Sequence, residues 1–147
     1  MNRLFVLILS LFLVGSVSAA DYADPSVATQ ARQDQFEDIK ASFKQLRFIL
    51  IQDEFDAVSA RAEADKLAAL SQPLLEMFRV RSDHGNTKAL GRIWDSWPRF
   101  EAQMLKFVEL TEKTAESLEY ANQEDARMYI DQAAKSCKSC HRFFKKR

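Results

Sequence analysis

The chain of 147 residues is 47% hydrophobic and 29% charged, which suits one domain with a real core rather than a disulfide-scaffolded miniature. Three Gly and three Pro exclude a loop-rich β-sandwich, a flexible linker and a collagen-like chain. Twenty-one Lys and Arg balance 21 Asp and Glu, which excludes a broadly basic nucleic-acid binder.

The N-terminus reads as an address. Met1-Asn2-Arg3 is a short positive stretch, Leu4 to Val14 is apolar apart from Ser10, and Gly15 to Ala20 supplies small residues. This is the pattern of a secretory signal peptide spanning residues 1–20. The apolar run falls well short of the ~20 residues a membrane span requires. Cleavage leaves a mature chain of residues 21–147 with one more acidic than basic side chain. It also delivers that chain to an oxidising compartment, the periplasm of a bacterial host.

Beyond the signal no segment alternates apolar and polar residues in the manner of a strand. Asp24-Pro25 is a helix start, and Phe36, Ile39, Phe43, Leu46 and Leu50 follow at helical spacing. A second helix is expected from Asp56 to Gln72, with Val58, Ala62 and Leu70 inward, ending at Pro73. Ser82 to Gly91 reads as the longest loop, with His84 as a surface turn residue. Trp97-Pro98 opens a third long helix whose face is Phe100, Met104, Phe107, Thr111 and Leu118. Asn122 caps a fourth, which carries Ala126, Ile130, Ala133, Cys137, Cys140 and Phe144 on one stripe. Trp94, Trp97 and Phe78 belong to the expected core. Four amphipathic helices with short connections predict an all-α, antiparallel up-down-up-down four-helix bundle.

One motif carries chemistry. Cys137-Lys138-Ser139-Cys140-His141 is the C-x-x-C-H attachment signature of haem c. Residues three and four apart share a helix face, so both thiols can reach the vinyl groups of one porphyrin. His141 is then placed to be the axial ligand and the only metal-binding side chain. Three other chemistries compete. A thioredoxin-type dithiol prefers a helix N-terminus after a strand, whereas this motif ends the last helix. A zinc site requires about four ligands, and the mature chain offers two Cys and two His. A disulfide between helical i and i+3 cysteines has poor geometry.

These residues resemble those of a known family, the cytochromes c′ of the class II cytochromes c. Cys137 to Lys145 is similar to that family's C-x-x-C-H-x-x-aromatic-basic ending. Ile93-Trp94 followed by Phe100 resembles its third-helix pattern, and Arg32-Gln33-Asp34-Gln35-Phe36 its R-x-x-x-hydrophobe pattern. The resemblance implies that Arg32 pairs with a haem propionate, against the alternative of a solvated helix charge. It places Phe36 over the distal face of the haem and Lys145 beside His141 on the proximal side. Low-spin relatives put a Met where Phe36 stands, and Met77, Met104 and Met128 all lie outside the first helix. The implied iron is therefore five-coordinate and high-spin, open to NO and CO.

The expected function is electron transfer and gas binding by a periplasmic haem protein, not an enzyme. A low-spin six-coordinate shuttle of the same fold and a haem-free dithiol bundle are the alternatives. The redox partner is not legible, nucleic acid is not expected, and no membrane span survives maturation. The resemblance also implies a homodimer, for which Phe48, Ile51 and Phe55 on the outer side of the first helix are candidates. Glu116, Glu119, Glu124 and Asp125 read as a solvated acidic face.

Overall fold

The computed structural model describes residues 22–147, and the expected signal peptide lies outside them. Helix α1 runs Pro25–Leu50 and starts where expected: the Asp24 carboxylate accepts from the Ser26 and Val27 N–H groups, and Pro25 fills the first turn. Helix α2, Ala57–Ser71, is capped in the same way by Asp56. Two 3₁₀ turns, Gln72–Leu74 and Glu76–Phe78, carry the chain past Pro73. An irregular stretch leads to the short α3, Arg92–Asp95. Helix α4, Trp97–Glu119, and helix α5, Gln123–Phe144, are joined by a turn in which Ala121 adopts φ 52°.

The four long helices pack in sequence, α1 on α2, α2 on α4 and α4 on α5, and α5 returns to α1. This is the expected antiparallel bundle. The closing seam is polar at one end: Gln123 and Arg127 of α5 both donate to the Leu50 carbonyl that ends α1. On α4 every residue of the expected face is buried, and on α5 Ala126, Ile130, Ala133 and Phe144 are too. Buried Thr111 shares a hydroxyl hydrogen bond of 2.8 Å with Ser71 across the α2–α4 contact.

Two expectations are corrected. On α2 the buried residues are Ala60, Ala64, Leu67 and Ser71, whereas Val58 is 80% exposed, Ala62 exposed and Leu70 half-buried. Alanines occupy both sides of this helix, so hydrophobic periodicity does not set its phase. Packing against α1 and α4 does. On the outer side of α1, Phe48 and Ile51 are exposed, but Phe55 lies beyond the helix, half-buried against the core.

The cap carboxylates make the bundle acid-sensitive. Hydrogen bonds from Ser26 hold Asp24 below the usual carboxylate range, and those from Ser59 do the same for Asp56. A depressed folded-state pKa contributes stability above the unfolded value, and that contribution disappears as pH falls through the folded value. Asp24→Ala with Asp56→Ala should therefore lower the denaturation midpoint at pH 7. The gap to wild type should narrow on approaching pH ~3, below the carboxylate reference range. A gap that is constant with pH would show that the charge contributes nothing.

Candidate functional site

Cys137, Cys140 and His141 lie on the last turns of α5. Both cysteines are free thiols, half-buried against the core. Burial pushes both thiols up, Cys140 to about 11, so neither is a standing thiolate. A redox dithiol needs the opposite environment. Among the described residues no three His, Cys, Asp or Glu side chains converge as metal ligands, which removes the zinc reading. The exposed His141 has its imidazole pKa pushed down by desolvation and then by the nearby Lys145 charge, and the neutral ring is the form that ligates a metal.

The end of α5 is tied to the loop before α3. Lys145 and Ala89 form an isolated backbone bridge. The Leu90 N–H donates to the Phe144 carbonyl at 3.0 Å, and the Lys146 N–H to the Lys88 carbonyl at 2.8 Å. Lys145 itself is exposed. These ties hold the residues after His141 against the middle of the chain.

Arg32 is 3% exposed, which overturns the solvated-charge alternative. Its guanidinium donates to the hydroxyl of Ser82, to the Ser82 carbonyl at 3.1 Å, to Thr29 Oγ1 at 3.1 Å and to the Met77 carbonyl at 3.3 Å. It also lies 4.6 Å over the Phe78 ring. None of these partners is a carboxylate. Desolvation lowers its pKa to about 10, which still leaves a full charge at neutral pH. A buried cation held only by neutral oxygens and a ring is short of one anionic partner, and a propionate supplies that chemistry.

Phe36 is half-buried, edge-on to Phe78 at 6.3 Å. Phe78 meets Phe100 at 4.7 Å, Phe100 meets Phe144 at 5.3 Å, and Phe144 meets Phe143 at 4.8 Å. This run of rings links Arg32 and Phe36 on α1 to the end of the C-x-x-C-H helix. Trp94 steadies it by donating from Nε1 to the Phe78 carbonyl at 2.8 Å. Trp94 and Trp97 are half-buried, while Phe78 and Phe107 are fully in the core. His84 is a surface residue with a 93% exposed side chain, as expected.

Ser82 is the site residue that the sequence did not reveal. It is 4% exposed and anchored by its neighbours: Arg81 bridges Asp83 at 3.0 Å and Asp95 at 2.8 Å. Gly91 leaves room for this latch, since a Cβ there would come within 2.6 Å of Asp83 Oδ2.

The residues present fit a covalent haem: two free thiols and an imidazole on one helix end, and a buried cation lacking an anion. The family profile described as Cytochrome C′ matches residues 27–145. The chain belongs to the cytochrome c′ family. It is similar to the solved cytochrome c prime from Shewanella frigidimarina, at 32% identity and TM-score 0.79, covering 84% of this chain and 98% of that one. The cytochrome c′ from Rubrivivax gelatinosus is 24% identical, with TM-score 0.79 and 85% and 99% coverage. A nitrosyl complex of a cytochrome c prime variant from Alcaligenes xylosoxidans shares the fold at 22% identity and TM-score 0.79, with 86% and 99% coverage. No curated protein sequence matches the chain. Membership makes this a haem protein of the cytochrome c′ type, with the four-helix bundle common to its relatives.

Proposed function

We propose that residues 1–20 are a cleaved export signal and that residues 21–147 work in the periplasm as a c-type cytochrome with one covalent haem c. The observation that carries this reading is the C-x-x-C-H motif on the last turns of α5, with both thiols free and half-buried. Cys137 and Cys140 would form the thioethers, and neutral His141 the axial bond. Arg32 would pair with a propionate, and Lys145 would flank His141. When bound, the haem supplies a one-electron couple and an iron site for small gases.

Phe36 determines what kind of site this is. A phenyl ring cannot coordinate iron, and α1 contains no Met. Phe36 would therefore leave a haem held here without a sixth protein ligand, five-coordinate and high-spin, and its apolar ring would admit NO or CO, which need little polar support. Two variants of the Alcaligenes xylosoxidans protein support gas binding, one solved as a nitrosyl complex and the other in the ferrous form with bound NO. Nothing in the reading calls for a catalytic base, so the protein is proposed as an electron-transfer and gas-binding protein rather than an enzyme.

The visible spectrum of the ferrous protein tests this, taken before and after NO is added. A broad high-spin spectrum that changes on NO addition is expected. Sharp α and β bands without added ligand would instead identify a low-spin shuttle. Met77, whose carbonyl meets Arg32, is then the first residue to substitute.

A homodimer is part of the same proposal. Phe48 and Ile51 are 58% and 66% exposed near the end of α1, and neighbouring apolar side chains of this kind favour an interface. One cytochrome c′ similar in fold shows ligand-controlled dimer dissociation. Sedimentation at micromolar concentration should give a dimer that Phe48→Glu converts to monomer. A wild-type monomer would overturn this part of the proposal.

A further inference from the structure

We propose that the exposed cations around the C-terminal end of α5 form the docking surface for a redox protein with an acidic face. The inference rests on the haem reading above and adds where the partner binds. Between Gln132 and Arg147 the chain has six Lys and Arg and no Asp or Glu. Lys138, Arg142, Lys145 and Lys146 are all exposed. Arg92 and Arg99 join them from the facing elements, their guanidinium groups 5.1 and 3.8 Å from the centre of the Phe143 ring. The ring holds two long side chains in place, so less rotamer freedom is lost when an anion arrives. Among the described residues none of these six cations has a salt-bridge partner; the ion pairs formed by other Lys and Arg do not include them.

Exposed carboxylates gather at the opposite end of the bundle. Asp53 and Glu54 follow α1, and Glu116 and Glu124 flank the α4–α5 turn. All four are exposed. The chain is formally neutral, so its total charge steers nothing, but a local cluster of unpaired cations can steer a partner at short range. The positive end is the end that carries Cys137, Cys140 and His141, where an electron must enter or leave.

A lipid surface fits less well. Membrane-binding basic surfaces place apolar side chains beside the cations. Here exposed Phe48, Ile51, Val58 and Tyr120 lie toward the other end of the bundle, and at the cluster's end a single Val27 is exposed, too small to serve as a wedge. Charge complementarity without an adjacent apolar wedge favours an acidic protein face.

The test uses the purified holoprotein with two probes, a sulfonated cation-exchange resin and ferricyanide. In the second reaction ferricyanide takes one electron from the ferrous protein, giving ferrocyanide and the ferric form. At pH 7 and low salt the mature protein should be retained on the resin although its net charge is slightly negative. Its reaction with the anionic oxidant should accelerate as salt is lowered. Lys138→Gln with Arg142→Gln and Lys146→Gln, which leaves the Phe143 stack intact, should elute unretained. At low salt this variant should react up to about tenfold more slowly, merging with wild type near ~1 M salt, where screening is nearly complete. A control with Lys44→Gln and Lys66→Gln should behave as wild type.

Failure of wild type to bind the resin overturns the proposal. So does oxidation that is independent of salt, or equal slowing in the control. Capture by phosphatidylglycerol vesicles together with salt-independent oxidation would replace the protein partner with a lipid one. A chain lacking covalent haem on a denaturing gel would sink the haem reading and this redox role together, and the gel distinguishes that case from the others.

Discussion

Cys137→Ser with Cys140→Ser should leave no haem-stained band on a denaturing gel, where the wild-type chain should give a strong one. Serine is close to cysteine in size, and the α5 stripe of Ala126, Ile130, Ala133 and Phe144 is buried independently of the two thiols. The helix therefore persists, and circular dichroism should show the same helical content. What disappears is the sulfur that forms a thioether, because a hydroxyl cannot replace it. Arg32→Met separates anchoring from orientation: its band should remain at wild-type strength, since a guanidinium takes no part in the covalent bond. A stained band in the double serine variant would place attachment elsewhere and overturn the reading of α5.

Phe100→Ala should lower the unfolding free energy by about 3–5 kcal/mol, the range for emptying a buried aromatic site. Phe100 is 2% exposed and contacts three rings: Phe78 at 4.7 Å, Phe144 at 5.3 Å and Trp97 at 5.6 Å. Ring pairs add about 0.5–1.5 kcal/mol each beyond their buried area, which places the loss toward the upper end. Phe100→Leu refills much of the volume and should cost less. Denaturant titration of the two variants measures the difference. A loss below about 1 kcal/mol, outside the range for such cavities, would mean that the neighbouring rings close over the gap. The variant also reports on function, because these rings connect the Arg32 side of the site to the helix bearing His141.

Legibility differed along the chain for physical reasons. The C-x-x-C-H spacing was readable because i, i+3 and i+4 are neighbours on any helix, whatever surrounds it. The α4 face was readable because Phe100, Met104 and Phe107 contrast sharply with Arg99, Glu101 and Lys106. On α2 the contrast is absent, since Ala60 and Ala64 inside look like Ala62 and Ala69 outside, and the pattern does not fix the phase. The partner of Arg32 was beyond reach for another reason. Ser82 lies 50 residues away in a stretch with no period, beside the bridge from Arg81 to Asp83 and Asp95. The 3₁₀ turns and the four-residue α3 are shorter than the window over which periodicity becomes visible.

The closing contact between α1 and α5 bears on what completes the first helix. The Leu50 carbonyl takes its hydrogen bonds from Gln123 and Arg127, 73 and 77 residues later. The last turn of α1 thus completes its local capping bonds with a contact to α5. Without α5 that carbonyl is left to water, so the end of the first long helix is completed by a contact distant in sequence. The helix that carries Cys137 and Cys140 is also the one that completes the end of α1.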